Sequence, residues 1–81
     1  MAGWYNHPLA SSGKLVSVTK ADSDMAAGTC KALLVGTAGT CNLKDENGTT
    51  HANVPLQAGY NPLRCIQIRT GGTASDIWAL Y

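Results

Sequence analysis

The feature of this sequence that most constrains its fold is a series of short apolar segments, separated by turn residues, without any helical period. The segments recur at a spacing of roughly 8–12 residues, which is typical of antiparallel sandwiches. Gly, Asn, Asp and Pro lie between them. The sequence therefore predicts an all-β fold: a small antiparallel β-sandwich of about six short strands with an N-terminal arm.

Local patterns predict the bounds of the strands. The predicted strands cover residues 14–19, 30–35, 40–44, 49–54, 63–69 and 76–81, and residues 57–62 are predicted to form a loop. The second strand is apolar on both faces, so we expect it to be central in its sheet. Asn47-Gly48 predicts a type I′ hairpin turn, because both residues accept a positive φ. Pro55 should end the fourth strand, since proline cannot donate to a ladder.

Length and charge limit the classes of function. The chain has 81 residues and a formal net charge of +1, and 14% of its residues are charged. A chain of this size buries roughly 60% of its surface, which supports one thin core and excludes folds that place two domains around a cleft. The weak charge argues against a nucleic acid or an anionic membrane as partner. Little like-charge repulsion keeps copies apart, so we expect contact with other protein.

Residues 1–13 are predicted to form the arm, and residues 14–81 the sandwich domain. The arm shows no strand or helix period, and Trp4 and Tyr5 are its expected anchors, on the domain itself or on a neighbouring copy. The chain starts without the basic and apolar regions of a signal peptide, and no apolar run approaches the length of a membrane helix. We therefore expect it to fold in a cytoplasm, where thiols stay reduced.

Residues that carry catalysis are few and form no recognisable motif. His7 and His51 are the two histidines, and no nucleophile motif surrounds any cysteine. The paired acids Asp22/Asp24 and Asp45/Glu46 fall in predicted turns, where aspartate is favoured for local hydrogen bonding. We expect neither an enzyme nor a cofactor site.

Three cysteines, Cys30, Cys41 and Cys65, are candidates for disulfide formation. Their number is odd, so at most one bridge can form within the chain and one thiol is left over. Three states of these cysteines remain possible. They can be buried thiols, two of them can form a bridge within the chain, or they can form bridges between subunits in an oxidising medium. No close pair such as C-x2-C accompanies His51, and we therefore expect no zinc site.

The last predicted strand is apolar on both sides. Ile77, Ala79 and Tyr81 alternate with Trp78 and Leu80. One face can pack on the second sheet of the sandwich, and the other can be covered by a partner. The residues predicted to form an interface are Trp4, Tyr5, Trp78, Leu80 and Tyr81.

Three stretches resemble a known family. KALLVGTAGT (residues 31–40), VPLQAGYNPLR (residues 54–64) and TGGTASDIWALY (residues 70–81) are similar in order and ending to small virion proteins of tailed phages. That family includes the head spike base proteins of gene transfer agents and their phage relatives. The region of resemblance covers about two thirds of the chain, and the cysteines and the arm depart from the family pattern.

The resemblance implies a non-enzymatic structural component of a bacteriophage virion. The expected role is a capsid decoration or head spike base protein that is assembled in the bacterial cytoplasm and self-associates on the capsid surface. Its expected partners are further copies of itself, as a trimer or pentamer, and the major capsid protein or other virion proteins. One alternative is a neck, collar or tail protein of the same virion. Another is a small carbohydrate-binding module with Trp4, Tyr5 and Tyr60 as stacking platforms.

Overall fold

The fold consists of two antiparallel sheets. The computed structural model describes residues 13–81, which contain no helix and therefore none that could span a membrane. The strands are β1 (Leu15–Ser17), β2 (Ala32–Thr37), β3 (Gly39–Asp45), β4 (Thr50–Leu56), β5 (Gly59–Asn61), β6 (Cys65–Ile68) and β7 (Ser75–Leu80). Trp4 and Tyr5 lie outside the described residues, as does all of the predicted arm except Gly13.

The sheets have four and three strands, in the orders β1-β7-β2-β5 and β4-β3-β6. All strand pairs are antiparallel. The predicted all-β sandwich is confirmed, and β2 is central as expected. A seventh strand, β5, lies in the segment predicted to be a loop. Its turn is closed by Asn61, whose side-chain oxygen accepts from the Gln57 amide at 3.1 Å and whose Nδ2 donates to the Gly59 carbonyl at 3.1 Å.

The β3–β4 hairpin lies where the sequence predicts it, but its turn type was predicted wrongly. Gly48 has a φ of +89°, whereas Asn47 is not among the residues with positive φ, so the turn is not type I′. The Gly48 amide donates to the Asp45 carbonyl at 3.0 Å. The Asp45 carboxylate accepts from the amides of Asn47 and Thr49, at 2.9 and 3.0 Å. An aspartate at the first turn position thus favours a type I turn followed by a left-handed glycine.

The fourth strand continues through Pro55 to Leu56, so the predicted end at proline is also wrong. Pro55 pairs with Thr40 on β3. β4 is an edge strand, and the amide and carbonyl of Thr40 bind Thr73 and Ala74, so Thr40 needs no hydrogen bond from the nitrogen of Pro55.

The core lies between the two sheets. Leu33, Val35, Ile77 and Ala79 point inward from the four-stranded sheet and meet the inner side chains of the other sheet. The largest fully buried side chains are Leu33, Ile68, Cys30, Cys41 and Cys65. Cys41 and Leu43 are buried on alternate positions of β3, as the sequence predicts. Three of these five buried side chains are thiols, so the interior is filled largely by small groups.

The segment from residue 18 to residue 31 closes one side of the sandwich. Amides of Ala21 and Met25 donate to the carbonyls of Ile68 and Ile66 on the outer edge of β6, at 2.9 and 2.8 Å. The Lys20 ammonium donates to the Ala74 carbonyl at 2.7 Å. The β6 edge of the three-stranded sheet is therefore occupied by the chain's own backbone.

The chain passes from one sheet to the other between β2 and β3, with Ala38 alone between the strands. The carbonyl of Thr40 accepts from the amides of Thr73 and Ala74, at 3.0 and 2.9 Å. The Thr40 amide in turn donates to the Thr73 hydroxyl at 2.9 Å. Gly39 lies against this junction, where a Cβ would contact the Thr73 hydroxyl and lie 2.6 Å from the Ala74 nitrogen.

We expect Gly39→Ala to destabilise the fold by about 1–3 kcal/mol, because the methyl group must displace backbone that cannot move easily. Urea unfolding monitored by tryptophan fluorescence measures the change. The control is Gly13→Ala, since no atom lies within 4 Å of a Cβ built there. Equal stability of the two variants would contradict the role of this junction.

Candidate functional site

The candidate site is the outer face of the four-stranded sheet. Residues directly opposite one another in an antiparallel pair project to the same side. Ser17 lies opposite Trp78, Trp78 opposite Leu34, and Leu34 opposite Tyr60. These side chains form one row across all four strands. Leu33 and Ala79, adjacent in sequence to Leu34 and Trp78, point into the core, so the row faces outward.

Large exposed hydrophobic side chains are concentrated on this outer face. Among the described residues they are Leu15, Tyr60, Trp78 and Leu34, with exposed fractions of 55%, 43%, 40% and 38%. Leu15 precedes Ser17 by two residues on β1 and therefore projects to the same side. Scattered exposed hydrophobics are normal on a protein surface, whereas a contiguous group on one sheet face is typical of an interaction surface.

The next row of the outer face, beside this one, is buried at its centre. Leu80 lies opposite both Leu15 and Ala32. Leu80 is 8% exposed and Ala32 is fully buried, and neither belongs to the cluster between the sheets. Leu80 thus lies on the same face as Trp78, as predicted, but it offers almost no surface to a partner. The apolar character ends on the other side, where Asp76 packs against Gly36.

Tyr81 is held within the chain. Its hydroxyl donates to the Gly28 carbonyl at 2.9 Å, and its amide donates to the Lys14 carbonyl at 2.9 Å. Its ring is partly buried against the core, and burial raises the pKa of its hydroxyl. Of the predicted interface residues that the structure describes, Trp78 alone has a large exposed side chain.

Sequence reasoning missed Leu15 and Leu34 as members of the outer face. The signal was present in β2, where Leu33 and Leu34 are consecutive and a sandwich core can bury only one of them. The partners of Leu34 could not be read in the same way. They depend on the pairing of β2 with β7 and β5, strands that lie far along the chain.

The structure brings two of the three cysteines together. The sulfur atoms of Cys30 and Cys65 are 3.4 Å apart, and the Cys30 amide donates to the Cys65 carbonyl at 3.0 Å. Cys41 is also fully buried, and its thiol contacts the Asn42 carbonyl at 3.5 Å. None of the three thiols reaches the surface, so a bridge between subunits would require the fold to open.

His51 is paired with an acid at the base of the hairpin. Its Nε2 lies 2.8 Å from Oδ2 of Asp45, and the pair borders a shallow depression of about 290 Å³. The hydrogen bond from His51, together with those from the backbone amides of the turn, lowers the pKa of the Asp45 carboxyl. The Asp45 carboxylate thus binds both the backbone of the turn and the His51 side chain on β4. The side chains of Asp45 and His51 are partly exposed to solvent.

Within residues 13–81 no three His, Cys, Asp or Glu side chains converge so as to hold a metal ion. Cys30, Cys41, His51 and Cys65 are therefore not brought together into one group of metal ligands. No protein-family model, curated protein or solved structure matches the chain. The outer face of the four-stranded sheet is therefore the feature of the described residues that points most directly to a function.

We expect Asp45→Asn to destabilise the fold at pH 7, and the difference from wild type to shrink as the pH falls below about 3.9. Folding lowers the pKa of Asp45, so its charged form stabilises the fold above the unfolded pKa of about 3.9, and this contribution is lost through the folded pKa. Urea unfolding at several pH values measures the difference.

Glu46→Gln is the matched control for this pH dependence. Glu46 is the next residue, and its contact with Arg64 is 3.8 Å long and exposed to solvent. Such a pair contributes little to stability. If Glu46→Gln reproduced the pH profile of Asp45→Asn, the assignment of the effect to the Asp45 contacts would be wrong.

Proposed function

We propose that this protein is a non-enzymatic structural component of a tailed-phage virion, a capsid decoration or head spike base protein that self-associates through the outer face of its four-stranded sheet. The observation that carries the proposal is the grouping of Leu15, Leu34, Tyr60 and Trp78 on that face. The resemblance of residues 31–40, 54–64 and 70–81 to small virion proteins supplies the context, and the β-sandwich agrees with what it implies.

Burial of the outer face supplies a driving force for assembly. Removing apolar surface from water stabilises a complex by about 25 cal/mol per Å², and a standard interface covers about 800 Å² per partner. Loss of translational and rotational freedom offsets much of this gain, so a single contact of this kind is modest. Repetition around a symmetry axis, in a trimer or pentamer, multiplies modest contacts into a stable assembly.

The arrangement of the aromatic residues favours protein contact over carbohydrate binding. Tyr60 and Trp78 both lie on the outer face, but Leu34 separates them in the same row. A sugar needs polar groups between its stacking platforms to bind its hydroxyls, whereas an aliphatic side chain packs against another protein surface. Trp4 and Tyr5, the other predicted platforms, lie outside the described residues.

We expect the purified protein to form a homo-oligomer that survives reducing agent, and Trp78→Ser or Leu34→Glu to convert it to the 8.4 kDa monomer. Each substitution removes apolar surface from the outer face, and the glutamate also places a desolvated charge in the contact. Native mass spectrometry with and without reductant measures the change.

Thr50→Glu provides the control for Leu34→Glu. Thr50 is an exposed strand residue of the other sheet and lies opposite Lys44, so the same added charge is well tolerated there. This variant should assemble like the wild type. Normal assembly of Trp78→Ser would show that the outer face is not the contact, and a wild-type monomer that binds glycans on an array would favour the carbohydrate-binding alternative.

We further expect the protein to copurify with phage particles in a fixed ratio to the major capsid protein, since a decoration protein occupies symmetry-related positions. Quantitative mass spectrometry of gradient-purified particles from the producing bacterium measures that ratio. Labelling with a gold-conjugated antibody separates the capsid surface from the neck, collar and tail. A protein that stays entirely in the particle-free fraction would contradict a virion role.

A further inference from the structure

At one point, two cysteine side chains that belong to different sides of the sandwich lie close enough to form a bond. Cys30 lies just before β2 of the four-stranded sheet, and Cys65 is the first residue of β6 in the three-stranded sheet. The hydrogen bond from the Cys30 amide to the Cys65 carbonyl holds the two backbones together, and the sulfur atoms point at each other, 3.4 Å apart.

We propose that Cys30 and Cys65 form a disulfide that links the two sheets, with Cys41 remaining a thiol. Bond formation requires the sulfur atoms to approach from 3.4 Å to about 2.05 Å, a movement that rotation of the two side chains can supply. The hydrogen bond from the Cys30 amide to the Cys65 carbonyl keeps the two backbones close to each other on the side of the approaching sulfur atoms. Cys41 faces a carbonyl oxygen and is buried on β3, so it has no comparable partner.

In the folded protein the contact between the two thiols shifts the pKa of each sulfur. The hydrogen bond from the Cys65 thiol stabilises the thiolate of Cys30 and lowers its pKa, whereas the same contact and burial raise the pKa of Cys65. The contact between the two thiols favours removal of one proton from the pair, and while the chain is open either cysteine can attack an oxidant.

A small-molecule disulfide such as oxidised glutathione serves as the oxidant. The thiolate of one of the two cysteines attacks one of its sulfur atoms, which forms a mixed disulfide and releases one glutathione thiolate. The other cysteine then loses its proton and attacks the protein sulfur of the mixed disulfide, which forms the protein disulfide and releases the second glutathione. The two protein thiols are oxidised, one glutathione disulfide is reduced to two thiols, and the two protons end on those thiols.

Because both cysteines are buried, the bond forms most readily while the chain is folding or transiently open. Closing the loop between residues 30 and 65 restricts the unfolded chain and ties the sheets at one end of the core. The linked form should therefore have a higher Tm than the reduced form, by at least about 10 °C for a domain of this size. The inference is independent of the proposed virion role.

The experiment refolds the full-length protein from denaturant in a buffer of oxidised and reduced glutathione, so that access to the buried thiols does not limit the reaction. Remaining thiols are alkylated under denaturing conditions, and the protein is digested with trypsin without reduction. Cleavage after lysine and arginine places Cys30 in peptide 21–31, Cys41 in peptide 32–44 and Cys65 in peptide 65–69, so each cysteine is identified separately.

We expect peptides 21–31 and 65–69 to be linked, peptide 32–44 to carry one alkyl group, and the Tm to fall on reduction. Cys41→Ala should preserve the link, whereas Cys30→Ala and Cys65→Ala should abolish it. Three alkylated cysteines, a persistent glutathione adduct or a link that includes peptide 32–44 would each overturn the proposal. The wild-type peptide map decides this even if a variant fails to fold.

Discussion

Burial of small side chains between two sheets is the constraint on which the rest of this structure depends. The sheets share no strand, and the contact between their inner faces holds them together, with Leu33, Ile68 and three cysteines as the largest fully buried groups. A chain of 81 residues can fill only one such layer. The outward face of the four-stranded sheet is buried at Leu80 and Ala32 but exposed at Leu34 and Trp78. The composition of this exposed part decides what the protein can contact.

The outer faces of the two sheets differ in polarity. On β3, Asn42 and Lys44 alternate with the buried Cys41 and Leu43, which is the ordinary pattern of a strand with one wet side. On the four-stranded sheet, Leu34 and Trp78 occupy the equivalent outward positions. The same strand geometry therefore produces one surface suited to water and one suited to protein.

Local patterns in the sequence predicted much of the fold, because alternation within a strand depends only on neighbouring residues. The inward positions of Cys41 and Leu43 and the central place of β2 follow from this alternation. The membership of each sheet could not be predicted, since β2 and β7 pair across a long separation in the chain. The type of the β3–β4 turn was predicted wrongly because the Asp45 side chain determines the hydrogen bonding of the turn. The end of β4 was predicted wrongly because a proline is tolerated in an edge strand, and the position of β4 at the edge depends on the whole fold. Alternation within β7 was enough to predict Trp78 as a member of the candidate site. Leu15 and Leu34 belong to it only because β1 and β2 pair with β7.

The strand edges of this sandwich determine the kind of assembly that it can enter. On β4, Pro55 lacks a donor and Asn53, with a φ of +57°, interrupts the ladder. On β6, Ala21 and Met25 occupy the outward carbonyls, and the two edges of the other sheet, β1 and β5, are only three residues long each. None of these edges offers a long template on which another copy could add a strand and expose a fresh edge in turn. Open-ended assembly, in which one copy after another adds a strand to a sheet edge, is thereby suppressed. Copies held at high concentration contact each other through sheet faces instead, and the shape of those faces limits the number of neighbours of each copy.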